Sequence, residues 1–205
     1  MEERTFKELA LKYFNESELV DDNFRKITTF EKACGTLGFC YQYQNKIIKL
    51  VDRVSKSSSA MFKLNIIRKA LNLGYDLHLT KDPKYSSFYY PINPFITESS
   101  TYYRDELGSG RMEVLGKIKS KGILYNVLGG RTADNIGYAG LGGFDSQNGV
   151  GFAATYIGLL GCATEEIAQH FGKYFGMLIT EAKFGDMADL EIIEDKYGNA
   201  KNEPK

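Results

Sequence analysis

Between Thr164 and Phe184 apolar side chains recur every three or four residues. Ile167, Ala168, Phe171, Tyr174, Phe175, Leu178, Ile179 and Ala182 share one stripe, with Glu165, Glu166, Gln169, Lys173 and Glu181 largely opposite. The spacing predicts a long amphipathic helix. Thr164 offers a capping hydroxyl, Glu165 and Glu166 suit the positive end of the helix dipole, and Lys183 and Gly185 mark the stop. A stripe so aromatic has to be covered, so Phe171, Phe175 and Leu178 are expected to lie buried against a sheet.

Upstream the same period returns in shorter pieces. Phe6, Leu9, Ala10, Tyr13 and Phe14 predict an N-terminal helix, ended by the acidic run from Glu16 to Asp22. Thr28 and Glu31 stand at capping-box spacing before a short helix limited by Gly35. Ile47, Ile48, Val51 and Val54 form one helical face. Met61, Phe62, Ile66, Ile67, Ala70 and Leu71 form another, closed by Gly74, and the run Ser57-Ser58-Ser59 between the two faces reads as the turn of a helical hairpin.

After Gly74 the period changes to two. Tyr75, Leu77 and Leu79 alternate with polar residues as in a strand, and Ser87 to Tyr90 reads as another before Pro91 and Pro94. Thr97 to Gly110 is polar and expected to be loop. Glu113 to Lys119 and Ile123 to Leu128 are strands joined by Ser120-Lys121-Gly122, and a third strand, Gly149 to Ile157, follows a loop from Gly140 to Asn148. Past Gly185 the chain turns acidic and then polar. Glu191 to Asp195 suggests an exposed helical turn, and Asn199 to Lys205 a frayed end.

The order of elements belongs to the α+β class: a small antiparallel sheet with a helical hairpin and a long C-terminal amphipathic helix packed on it. Residues 1–184 form one expected domain, with helices over 1–74, sheet and glycine-rich loops over 75–162, and the packing helix over 164–184. Residues 185–205 are the expected tail.

Composition narrows the function classes. The 26 basic and 26 acidic residues cancel, so any nucleic-acid or membrane partner must be met by a local patch. The chain has 14 Tyr and 13 Phe but no Trp, and tyrosine, apolar in body and polar at its tip, suits interfaces. Cys34, Cys40 and Cys162 make no even disulfide framework, and the start Met1-Glu2-Glu3-Arg4 lacks the regions of a signal peptide, so synthesis in a reducing compartment is expected. No apolar run approaches the roughly 18 to 20 residues of a membrane span, and no membrane partner is expected.

Candidate chemistry is sparse. Gly149-Val150-Gly151-Phe152-Ala153-Ala154 has dinucleotide-loop spacing but leads into a strand rather than a helix, and Gly129-Gly130-Arg131-Thr132 lacks the Lys-Ser/Thr ending of a phosphate loop. Both read as structural, so no cofactor is expected. Two histidines, His78 and His170, and no Cys-x-x-Cys pair argue against a zinc site. Cys162 with His170 is a conceivable nucleophile pair, yet Cys162 reads as a small buried residue. No catalytic residue is assigned and no metal is expected.

One basic stretch stands out. Lys46, Lys49, Arg53, Lys56, Lys63, Arg68, Lys69, Lys81 and Lys84 outnumber Asp52, Asp76 and Asp82. These nine cations are a candidate nucleic-acid surface, with Tyr85, Phe88, Tyr89 and Tyr90 available for stacking; the competing reading is a solvated helical face. Residues 108–161 hold 14 of the 21 glycines, and there Arg131, Asp134, Tyr138, Phe144 and Asp145, with Tyr102 and Tyr103 upstream, are candidates for an interface or ligand loop.

Three separated segments resemble a family of uncharacterised proteins of gut bacteriophages and prophages: Thr29 to Gly38 (TFEKACGTLG), Phe62 to Tyr75 (FKLNIIRKALNLGY) and Ala163 to Phe175 (ATEEIAQHFGKYF). Tyr89-Tyr90-Pro91 is similar to that family's aromatic-proline segment, while Tyr75 stands where the family usually has tryptophan. The resemblance implies a phage setting, a compact domain of helices flanking a small sheet, and no catalytic residues. The leading expectation is a non-enzymatic phage protein acting by contact, a virion structural or accessory component made in the host cytoplasm, whose partners are other phage proteins or further copies of itself. The alternatives are an accessory protein binding nucleic acid through the Lys46 to Lys84 surface and, third, a small-ligand binder or enzyme using the glycine loops.

Overall fold

The computed structural model describes residues 23–73, 87–91, 93–130, 142–145, 160–162 and 164–200. The expected N-terminal helix and the strands at Tyr75 to Thr80 and Gly149 to Ile157 lie outside these residues.

A tight turn at Asn23–Lys26 buries Phe24 and leads into helix α1 (Phe30–Thr36). Thr29, rather than Thr28, caps it, its hydroxyl accepting from the Lys32 N–H at 3.3 Å. Helix α2 spans Tyr41–Asp52 and helix α3 spans Lys56–Leu71. The turn between them is Arg53 to Ser55. Ser55 caps α3 by accepting from the Ser58 N–H at 2.9 Å, so the serine run lies inside the first turn of α3. Serine favours that position because its hydroxyl replaces the missing intrahelical acceptor.

Strand β1 (Ser87–Tyr90), strand β2 (Phe95–Thr97) and the short helix α4 (Arg104–Gly108) follow. The polar stretch expected to be loop thus holds a helical turn. Strands β3 (Met112–Ser120) and β4 (Ile123–Gly130) form a hairpin whose two-residue turn, Lys121-Gly122, has φ values of 49° and 78°. Glycine takes the second of these without strain, and the turn's twist matches that of the strands. Strand β5 (Gly142–Asp145), in a stretch expected to be loop, pairs antiparallel with β1. Helix α5 (Glu165–Phe184) is the predicted long helix, with the Thr164 hydroxyl accepting from the Ile167 N–H at 3.3 Å.

Strand β6 (Glu191–Asp195) corrects the expected helical turn: it pairs with β3 and completes an antiparallel sheet of order β2-β4-β3-β6. The fold is α+β, with α5 packed on the sheet. Between Val114 and Gly116 the β3 register shifts, leaving Leu115 as an extra residue. Glu113 before the bulge, Leu115 in it and Gly116 after it consequently all meet α5, at Lys173, Gly176 and Met177. A Cβ at Gly116 would sit 2.6 Å from Met177 Sδ, and one at Gly176 would sit 2.6 Å from Leu115 Cδ1. These two glycines let the helix approach the sheet closely. Phe171, Phe175 and Leu178 are fully buried, as predicted, and the other side of α5 packs on Ala60, Leu64, Ile67 and Leu71 of α3.

The chain past β6 is tied to this core. The Asn199 amide donates to Thr28 O at 3.1 Å and Tyr174 O at 2.8 Å, and Ala200 is buried, so the frayed end expected from Asn199 does not begin there. Glu113 accepts from Lys196 and from Tyr197 Oη (3.2 Å), with Lys173 Nζ at 3.4 Å. Burial opposes its charge, but the Lys196 hydrogen bond and Lys173 hold the Glu113 carboxyl below its ordinary pKa.

Candidate interaction surface

Helix α2 divides its apolar residues between two faces. Its inner side meets α1 and α3, where Ile48 is 2% exposed and Asp52 accepts from Ser59 Oγ at 2.9 Å. On the opposite side Tyr43 is 62% exposed, Leu50 62% and Val54, just past the helix end, 88%, with Ile47 half-buried between them. Positions 43, 47, 50 and 54 follow a four-three-four spacing, the seam by which one helix packs on another. Phe39, immediately before α2, is also exposed.

The expected α2 face of Ile47, Ile48, Val51 and Val54 is therefore corrected. Only Ile48 is buried, because α1 and α3 occupy one side of the helix and the short Arg53 to Ser55 turn holds that side inward. Asp186 clamps the turn by accepting from Ser55 Oγ at 2.6 Å and from the Ser57 N–H at 3.2 Å. At about 3.6 residues per turn, Lys46, Lys49 and Arg53 fall in one column beside the exposed seam, and all three are exposed.

The nine-cation surface does not hold together. Lys46, Lys49, Arg53, Lys56 and Lys69 are exposed, whereas Lys63 is 7% exposed between α3 and α5, and Lys81 and Lys84 lie outside the described residues. Burial lowers the Lys63 pKa, partly countered by Glu181, Asp52 and Asp195. Burial likewise pushes the Glu181 carboxyl up to about 7 against the pull of Lys63. Arg68 is half-buried, and its Nε is enclosed without a hydrogen-bond partner among the described residues. Lys63 is therefore held in the core, and Arg68 is partly withdrawn from the surface.

Of the loop candidates, Tyr102 is exposed and stands edge-on to Tyr103 at 5.2 Å. Tyr103 packs on Met112 and Leu128 under α4. Phe144 and Asp145 lie in β5, paired with Phe88 and Ser87, while Arg131, Asp134 and Tyr138 are outside the described residues. The described residues gather no loop site from them. Gly129 and Gly130 are strand residues of β4, paired with Glu113 and Met112. The Gly149 to Ala154 spacing lies outside the described residues.

A groove of about 660 Å³ crosses the sheet beside the Leu115 bulge, lined by Glu98, Lys117, Asn126, Glu194 and Lys196 among others. Lys117 is held there between Glu98 (3.0 Å) and Glu194 (3.8 Å). Its ammonium is thus already matched by carboxylates, and the groove presents an ion cluster without a nucleophile or histidine.

The potentially reactive groups elsewhere serve the core. Cys162 is fully buried, and burial pushes its thiol pKa far up despite the nearby Arg68; Cys34 is raised to about 11 by burial and Glu31. Neither holds a thiolate near neutral pH. His170 is half-buried, its Nε2 lying 2.7 Å from Ile27 O and its ring edge-on to Phe24, and burial lowers its pKa. It ties α5 to the N-terminal turn. His78 is outside the described residues, among which no three His, Cys, Asp or Glu side chains group as a metal site. No helix among them is long and apolar enough to cross a membrane.

Tyr43 and Leu50 are the surface residues that reading the sequence missed. Their signal was present as the four-three-four spacing through Ile47 and Val54, but it overlaps the Ile48 face, and period alone does not say which face is covered. Compared with protein-family models, curated proteins and solved structures, the chain has no match.

Proposed function

We propose that this chain is a non-enzymatic bacteriophage protein that works through protein–protein contact, as a structural or accessory component of the virion. The observation that carries the contact reading is the exposed Tyr43, Leu50 and Val54 seam on a helix whose other side is anchored in the fold. A contiguous exposed apolar row is a common mark of a protein–protein contact. The phage setting rests on the resemblance of the three segments. The small-ligand reading has less support, since its candidate residues are not assembled among those described and the lysines lining the sheet groove are already paired with carboxylates.

The nucleic-acid alternative keeps Lys46, Lys49, Arg53, Lys56 and Lys69 at the surface, with Arg68 half-buried, but loses Lys63 to the core. Of the seam residues Tyr43 is aromatic, whereas Leu50 and Val54 offer no ring for stacking bases. Mass spectrometry of purified phage particles tests the leading reading. The chain is expected at a fixed ratio to the capsid or tail proteins; its absence from particles in which those proteins are fully recovered overturns the virion role.

A further inference from the structure

Resting on that contact reading, we propose that α2 receives an acidic amphipathic helix of a different protein, lying along the seam from Tyr43 to Val54 with its carboxylates over Lys46, Lys49 and Arg53. Three features of α2 select this occupant. The four-three-four spacing gives a narrow ridge about three turns long, which fits the groove of another helix better than a flat surface. The cations stand on one flank only, at positions 46, 49 and 53, so the fit is directional: apolar row to apolar row, acidic column to basic column. Finally, the helix is fixed from behind by Ile48 and by the Asp186 clamp on its C-terminal turn, so it is ordered before binding and little entropy is lost on docking.

Charge and packing separate this partner from the α2 of a second copy, from a membrane and from nucleic acid. A second copy of the chain in antiparallel pairing would set the two basic columns side by side. In parallel pairing each column would face Gln44 and Val51 of the other copy. Neither arrangement supplies a carboxylate, because the one acid of α2, Asp52, is turned inward to Ser59. A helix lying on an anionic membrane has a free, cation-rich polar face opposite its apolar one, whereas the side of α2 opposite the seam packs on α1 and α3. Nucleic acid leaves Leu50 and Val54 unburied.

The test uses the full chain and two synthetic helical peptides of equal length. Both carry leucines at four-three-four spacing; one has glutamates along one flank, its twin lysines at the same positions. Titration by fluorescence anisotropy is expected to show the glutamate peptide binding at least about tenfold more tightly than the twin. The preference is expected to vanish in the triple variant Lys46→Glu, Lys49→Glu, Arg53→Glu, and binding to vanish in Leu50→Asp, both with unchanged circular dichroism. Equal binding of the two peptides, or binding of neither, overturns the proposal. So does a dimer in sedimentation that Leu50→Asp converts to monomer, or retention on phosphatidylserine vesicles or on DNA abolished by the same change. If the glutamate peptide fails while wild-type but not Leu50→Asp protein enters particles, the acidic helix falls and the contact reading stands; if neither protein enters, the contact reading falls with it.

Discussion

Helices α5 and α2 start from the same kind of sequence and end in opposite situations. Both carry apolar residues at helical spacing, but α5 lies between the sheet and α3 and buries residues almost all round, including Phe171, Phe175 and Leu178, together with Thr180 and Glu181. Among the described residues helix α2 has neighbours on one side, buries Ile48, and leaves Tyr43, Leu50 and Val54 exposed. The difference shows where stability resides and where surface is left over. The stripe of α5 is consumed by the fold, whereas no described residue covers the outer seam of α2.

The largest expected effect belongs to α5. Replacing Phe175 by alanine removes a fully buried ring that lies 5.9 Å from Phe171, and should cost about 3–5 kcal/mol in urea unfolding. A cost below about 1 kcal/mol would mean that α5 is not the helix holding the sheet.

The next effect sharpens the comparison through the polar group that α5 buries. Glu181 has an ordinary pKa of 4.5 and one of about 7 in the fold, set by burial, with Lys63 and Lys56 opposing and Asp52 and Asp195 adding to the rise. The folded chain thus holds that proton more tightly than the unfolded one. Its contribution is fully present below about pH 4.5 and is lost as the pH rises through about 7. Glu181→Gln is expected to flatten the pH dependence of stability over that window by an amount on the order of 2 kcal/mol. Parallel curves for the two proteins would show that α5 does not bury a charge there.

The smallest effect belongs to α2. Leu50→Ala should change stability by no more than about 0.5 kcal/mol, since its side chain gains little from the fold. A loss above about 2 kcal/mol would show the seam to be covered already, and the comparison would collapse.

How much of this was legible in the residues follows from the range of the interactions. Helix α5 was readable to within a residue because Thr164, Lys183 and Gly185 act locally, and the β3–β4 hairpin because Lys121-Gly122 is a short-range turn. Strand β6 was not: Glu191, Glu194 and Asp195 look like solvated tail, and only pairing with β3, some seventy residues away, makes them strand. The serine run misled because serine serves turns and helix starts alike, and here Ser55 caps while Ser57 to Ser59 are helical. Lys63 looked like surface because a lysine on an amphipathic helix usually is, even between Phe62 and Leu64. Burying it takes Glu181 and Asp52, which are neighbours only in the fold. The candidate surface was half legible: the spacing of Tyr43, Ile47, Leu50 and Val54 can be counted along the chain, but that α1 and α3 cover Ile48 and leave those four outside is a property of packing.

The direct test of the central claim, that the outer face of α2 is spare for folding and required for contact, is the incorporation of Leu50→Asp protein into phage particles alongside wild type. The variant is expected to keep the thermal midpoint of wild type and to have no detectable place in the particle. A variant that folds equally well and is incorporated at the wild-type ratio would contradict it.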